Sequence, residues 1–364
     1  MASTYKSIRD IDWPLLLITL IISAVGILQI YSATHETKWR DAWWKQIVWI
    51  GAGLVFFWIV SQIDYHTLLE SAYLMYGLAI ASLVGIFFIG TVVFGSRRWI
   101  PLPGGFQFQV SEFVKTVLVL LVARYLMDLR KDDLDWRDIA KIAGLVGVPM
   151  VLVMKQPDLG TSMTYVPILI AGVFLAGVRW QYFAVLVLSL ALALPVAWHF
   201  LHDYQRARLT TFLDPSQDPR GSGYQVIQSM IAVGHGGMWG RGVTRGTQTQ
   251  LQFLPVPHTD FIFSAFSEEH GFVGVVVVLG LYFLLLMQIV QNAQTAPDRA
   301  GMYICMSVCA LLLFHVLVNV GMVVGRMPVT GIPLPLMSAG GSNTISVFLM
   351  LGLVNNVRLR RFVN

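Results

Sequence analysis

What most constrains this chain is a succession of long apolar runs separated by short polar joints. Ten such runs occur, at residues 14–31, 46–60, 74–93, 113–126, 139–154, 162–178, 181–201, 261–289, 302–324 and 344–357. An apolar run of about 20 residues crosses the hydrocarbon of a bilayer as a helix, the one open-chain form that satisfies every backbone N–H and C=O internally. The second, fourth, fifth and tenth runs are shorter, so they are expected to borrow flanking residues or to pack inside a bundle. A chain that is 56% hydrophobic and only 12% charged is not an ordinary soluble domain. The expected fold class is all-α: a polytopic membrane protein of about ten transmembrane helices forming one domain over residues 1–364.

An even number of spans puts both termini on one side, and the basic residues say which. With the termini inside, Arg137, Arg179, Arg299, Arg358, Arg360 and Arg361 are cytoplasmic, against Lys38, Arg40, Arg97 and Arg98 outside. Residues 1–13 are polar and the first run lacks a small-residue cleavage site, so that run reads as a span and not as a removable signal. The one long joint, residues 202–259, is then a large extracytoplasmic loop, in which residues 224–233 carry a helical apolar spacing suited to a membrane interface. Cys305 and Cys309, four apart in an apolar run, read as helix packing. Gly321 and Gly325 offer a small-xxx-small face for close helix contact. The net charge of +5 comes largely from joint residues, which favours orientation in a membrane over nucleic-acid binding.

Against this background the ionisable residues beside apolar runs stand out. His258 and Asp260 precede the eighth run, and Glu268, Glu269 and His270 lie within it; a carboxylate near hydrocarbon costs roughly 2.5 kcal/mol or more at the centre of a span. Asp260 reads either as a cap at a helix start or as a group facing a cavity. Glu112 and Lys115, three apart, share a helix face and compensate each other. Residues 156–160, QPDLG, break the chain between two runs, so Asp158 needs protein or water around it. Together with Arg98, Arg206 and Arg208 these residues suggest an outer cavity with excess positive charge, suited to an anionic, lipid-borne head group such as a phosphate. Ser338, Ser342 and Asn343, at the entrance to the last run, could hydrogen-bond that head group. Residues 234–242, GHGGMWGRG, lack the GxGxxG spacing of a dinucleotide loop and read as a tight turn; neither HExxH nor a Walker motif occurs.

The motifs HTDFIFSAFSEEHG, QPDLGTS, SEFVK, GYQVIQSMIAVGHGGMWGRG, GTQTQLQFLP and GIPLPLMSAGGSN, spread among ten runs, closely resemble the SEDS family of bacterial cell-wall polymerases, nearly end to end. GTQTQLQFLP and DYQRARLTTFLDP resemble its elongation-type (RodA) branch. The resemblance implies a peptidoglycan glycosyltransferase that polymerises lipid II into glycan strands for cell elongation, in the bacterial cytoplasmic membrane with its active site on the outer face. It further implies a class B penicillin-binding protein and the elongation machinery as partners, and a divalent cation, Mg²⁺ or Mn²⁺, whose ligands the sequence does not identify. By the same resemblance Asp260 is the catalytic base, and Glu112, Lys115, Asp158, Arg98 and Trp99 are functional. The chemistry expected is removal of a proton by Asp260 from the 4-hydroxyl of an acceptor N-acetylglucosamine as it attacks the anomeric carbon of a donor N-acetylmuramic acid, with undecaprenyl pyrophosphate leaving. Arg98, Lys115, Arg206 and Arg208 are the candidates to stabilise the leaving charge. A lipid II flippase and a non-catalytic scaffold for the penicillin-binding protein are the competing readings.

Overall fold

The structure is a computed structural model that describes residues 11–93, 96–102, 106–129, 134–179, 181–182, 184, 188, 203–215 and 221–361. It is mostly helical. The first helices are α1 Trp13–Thr34, α2 Ala42–Gln62, α3 Tyr65–Glu70 and α4 Ala72–Ile89. After three short strands come α5 Val110–Asp128, α6 Trp136–Lys155, α7 Leu159–Met163 and α8 Val166–Leu175. The described part of the chain then continues with α9 Asp203–Leu213, α10 Ser222–His235, α11 Thr247–Gln250, α12 Ile262–Gln294, α13 Arg299–Val323 and α14 Gly341–Arg360. Five of them, α1, α2, α4, α12 and α13, are long and apolar enough to cross a membrane. The seventh apolar run, 181–201, lies largely outside the described residues.

Three departures from the sequence reading have physical causes. The chain is not all-α: β1 Thr91–Val93, β2 Ser96–Leu102 and β3 Phe106–Phe108 form an antiparallel sheet in the order β1-β2-β3, with Thr91 opposite Trp99 and Ile100 opposite Phe108. The tail of the third apolar run is β1, because β-branched Thr91, Val92 and Val93 suit a strand as well as a span. The sixth run is two helices, since the side chain of Asp158 caps α7 through Thr161 N and Pro167 sits in the first turn of α8. Within residues 202–259 the described part contains α9, α10 and α11, and α10 covers the helical spacing expected at 224–233. Gly321 and Gly325 do not form a helix-packing face: the place of a Gly321 side chain is taken by Met327, and Gly325 lies past the end of α13 with φ +69°.

The least apolar of the long helices is the most enclosed. Along α14, Ser342, Thr344, Ser346, Asn355 and Asn356 are buried beside Phe348, Leu351 and Val354. It packs along α2 at glycine steps, with Gly53 against Phe348, Gly352 against the backbone of Phe57 and Gly341 against the Trp49 ring. At the far end of the molecule Asp12, fully buried, caps α1 and accepts from Gln288 and Asn292 of α12 and from Arg358 of α14 at 3.2 Å. Its own N–H donates to Asn355 Oδ1. Cys305 and Cys309 are free, buried thiols in α13.

Candidate active site

The 33 residues of α12 form two helical segments joined at a non-helical Gly271, and Asp260 stands two residues before the first of them. The backbone there is fixed from three sides. Asn319 of α13 donates its amide to the carbonyls of Asp260 (3.0 Å) and Ile332 (2.9 Å), Ser338 Oγ donates to Thr259 O at 2.7 Å, and Ala339 N donates to His258 O at 2.9 Å. Glycine is required opposite: Gly331 has φ +72°, and a side chain there would meet Asp260 Oδ2 at 3.4 Å. The Asp260 carboxyl is raised above the ordinary aspartate range by burial, while the charges of Arg98 and Arg208 oppose the shift and that of Asp158 adds to it. Those four groups therefore share one electrostatic neighbourhood. His258, packed near the Trp39 ring, is held neutral by burial, with its pKa lowered to about 4.

Of the expected residues, Arg98, Arg208 and Asp158 act on the Asp260 carboxyl, and several of the others form pairs of their own. Strand β2 carries Arg98 and Trp99; the Arg98 guanidinium lies 5.8 Å from the Trp99 ring centre and forms a 2.6 Å ion pair with Asp158. Asp158 also accepts from Gln109 Nε2 and Thr161 Oγ1. In α5, Lys115 Nζ pairs with Glu112 Oε2 at 2.7 Å, both side chains buried. Arg206 and Arg208 are half-buried on α9. The hydroxyl of Ser338 donates to Thr259 O and accepts from Leu334 N, and that of Ser342 accepts from Gln109 N and donates to Gln107 O, so both brace the protein's own loops. Lys155 and Arg326 point to solvent or lipid and do not join the cluster.

The two glutamates within the eighth apolar run belong to the scaffold. Glu268 accepts from Thr247 Oγ1, Gln248 N and both N and Oγ1 of Thr249, which caps α11. Glu269 accepts from Gln29 and Ser32 of α1. The sequence reading missed Gln109, Asn319 and His315. Lys115 Nζ lies 3.3 Å from His315 Nε2, and His315 Nδ1 donates to Leu311 O at 2.8 Å, so the ring is neutral with its Nε2 lone pair facing the ammonium. A signal for both α13 residues exists: His315 and Asn319 are polar at i and i+4 in an otherwise apolar run.

The acidic groups do not form a metal cage. Among the described residues no three His, Cys, Asp or Glu side chains converge to hold an ion, and Glu112 and Asp158 are neutralised by Lys115 and Arg98.

The chain as a whole has relatives among known proteins. A family model described as cell cycle protein, FtsW/RodA/SpoVE, matches residues 12–361. The peptidoglycan glycosyltransferase MrdB of Escherichia coli K12 is 39% identical over 96% of this chain and 94% of its own length. The peptidoglycan glycosyltransferase RodA of Treponema pallidum is 33% identical over 98% and 99%. Among solved structures, a chain of a peptidoglycan synthase complex superposes with a TM-score of 0.84 at 35% identity, covering 97% of this chain and 99% of that one. RodA of Thermus thermophilus does so at 0.72 and 29%, covering 97% and 98%. With nearly the whole chain matched in sequence and in backbone, this protein belongs to the FtsW/RodA/SpoVE family of cell cycle proteins.

Proposed function

We propose that this chain is a peptidoglycan glycosyltransferase that polymerises lipid II on the outer face of the cytoplasmic membrane, with Asp260 as general base. The observation that carries the reading is a carboxyl raised by burial and held in the joint field of Arg98 and Arg208. Burial makes Asp260 a stronger base than a solvated aspartate, and the arginines keep its ionised form accessible. The carboxylate removes the proton of the acceptor 4-hydroxyl as the oxygen attacks the donor anomeric carbon from the face opposite the leaving diphosphate, inverting that centre. Diphosphate departs as an anion, so no second carboxyl is needed to protonate it. Arg98, Arg208, Arg206 and Lys115 supply positive charge near the leaving oxygens, and Trp99 offers an apolar wall beside them.

The names of the curated relatives and the likeness to a peptidoglycan synthase complex support this reading and support a class B penicillin-binding protein as partner. The same reading takes the chain as a single domain of about ten spans with residues 202–259 outside the membrane. The divalent cation is proposed from the resemblance alone; chelation followed by return of Mg²⁺ or Mn²⁺ tests it, and no step above runs through it.

The deciding experiment is polymerisation of lipid II by purified protein in detergent. Asp260→Asn is expected to lower the rate by about 10²- to 10⁴-fold, the usual contribution of a positioned base, without changing elution or melting behaviour. Wild-type polymer yield from a folded Asp260→Asn protein rejects the assignment. Because detergent leaves no bilayer to cross, polymer formed there also separates an enzyme from a flippase.

A further inference from the structure

Asp260 and the arginines account for the base and part of the charge, and a further set of donors stands at the start of α14. This helix is 20 residues long and begins at Gly340 and Gly341, with no side-chain cap and no acidic residue in its first turn. Gly340 N donates to Gln46 Oε1, and the first intrahelical bond is Thr344 N to Gly340 O. The N–H groups of Gly341, Ser342 and Asn343 meet no acceptor among the described residues. Three aligned donors at the positive end of a long helix suit an anion, and the glycines let it approach the backbone.

A second observation points to a ligand there. Asn343 is 6% exposed, and neither its Oδ1 nor its Nδ2 has a hydrogen-bond partner. Leaving a buried amide without partners costs about 1–3 kcal/mol per group, so its retention calls for a reason. Asn343 is the third residue of α14, and its Cβ lies 3.9 Å from the place a Gly340 side chain would take, so at the helix mouth it belongs to the same first turn as the free N–H groups.

The mouth is wired into the cluster on both sides. Gln109 N donates to Ser342 Oγ, Gln109 Nε2 donates to Asp158, and Asp158 pairs with Arg98, whose Nε is itself buried without a partner. On the other flank Ala339 N bonds His258 O, two residues before Asp260. The place thus combines backbone amides, a side-chain amide and a guanidinium, and its nearby carboxylates are already paired or serve as the base.

We propose that the N-terminus of α14, with Asn343 as its reading side chain, binds a phosphoryl group of the donor's diphosphate and holds it as the glycosyl bond breaks. This rests on the glycosyl-transfer reading above and adds to it the subsite for the leaving group. Helix dipole and amides favour the anion most when its charge is greatest, after the anomeric carbon–oxygen bond has opened and the electron pair has moved onto the diphosphate oxygen.

The test uses full-length protein in detergent and three probes: inorganic phosphate, inorganic pyrophosphate and farnesyl pyrophosphate, each titrated by ³¹P NMR. Asn343→Asp, which sets a carboxylate among the amides, is expected to weaken binding of both pyrophosphates by roughly ten- to a hundred-fold, the range of one charge-assisted hydrogen bond. Asn343→Ser, which keeps a small polar group if the aspartate variant fails to fold, is expected to weaken it several-fold. Asp260→Asn is expected to bind pyrophosphate at least as well as wild type. In turnover, Asn343→Ser raises KM for the lipid-linked donor more than it lowers kcat, without moving the acid limb of the pH profile. Unchanged pyrophosphate binding in folded Asn343→Asp, absence of binding in the wild type, or equal affinity for phosphate and pyrophosphate each overturns the subsite. Asn343-dependent pyrophosphate binding by a protein that makes no polymer overturns the glycosyl-transfer reading and leaves the anion site standing.

Discussion

At the scale of single residues, burial holds Asp260 and His258 away from their ordinary protonation behaviour. Asp260 acts only as the carboxylate, and its pKa is raised, so polymerisation is expected to fall off on the acid side at a higher pH than an unperturbed aspartate would give. A pH–rate profile measures this, and removing the counter-charge by Arg98→Gln should move the limb further up. Stability has its own pH signature at His258. Its folded pKa of about 4 lies below the 6.5 of the free side chain, so between those values the unfolded chain binds more protons. The stabilisation from burying the neutral ring is complete above pH 6.5 and declines as pH falls toward 4; His258→Gln should flatten that slope in melting curves. Glu112 and Lys115 make a different kind of prediction. Glu112→Gln leaves a buried ammonium with only neutral His315 for company, a loss of about 3–5 kcal/mol for an interior pair, whereas Glu112→Gln with Lys115→Met should cost less than either charge left alone. A double-mutant cycle in melting temperature decides it.

At the scale of elements, the informative feature is the break in α12. Gly271 has φ 64° and ψ −167°, a conformation nearly confined to glycine, and it opens the helix at its tenth residue. The stretch 237–242 closes the gap: Arg241 N and Gly242 N donate to the carbonyls of Glu268 and Glu269, and Phe272 N and Val273 N donate to those of Gly237 and Met238. A strand-like strap thus satisfies four backbone groups of a helix that would otherwise present them to an apolar surround. Gly271→Ala would place a Cβ 2.3 Å from Gly240 N, so the strap must shift. The expected outcome is a marked loss of thermal stability and new protease cleavage within residues 236–256; a stable, resistant Gly271→Ala protein contradicts it. This is where the sequence was least legible. A glycine inside an apolar run looks like a tolerated helix residue, and 234–242 looks like a turn, because each makes sense only beside the other and they are some thirty residues apart. Helices α5 and α6 and the Glu112–Lys115 pairing were readable from local spacing alone. The polar clamps made by Glu268, Glu269 and Ser338 were not, since their partners come from α1, α11 and the Thr259 backbone.

At the scale of the whole molecule, the two ends of the bundle divide their labour. The end near Asp260 keeps unpartnered donors, while the opposite end around Asp12 is fully cross-bonded among α1, α12 and α14. Asp12→Ala is therefore expected to lower melting temperature while a polymerisation assay below that temperature keeps near-normal turnover. The cross-bonding also bears on how the chain is made. Gln288, the first of Asp12's long-range carboxylate partners to be translated, is separated from it by 276 residues, and Asn355 by 343. At about 5–20 residues per second, the ribosome needs roughly 17–70 s to reach Asn355. Until Gln288 and Asn292 are made the nascent α1 carries an acid without those mates, and a chain stalled before its final helix still presents this acid to membrane quality control without the Arg358 counter-charge.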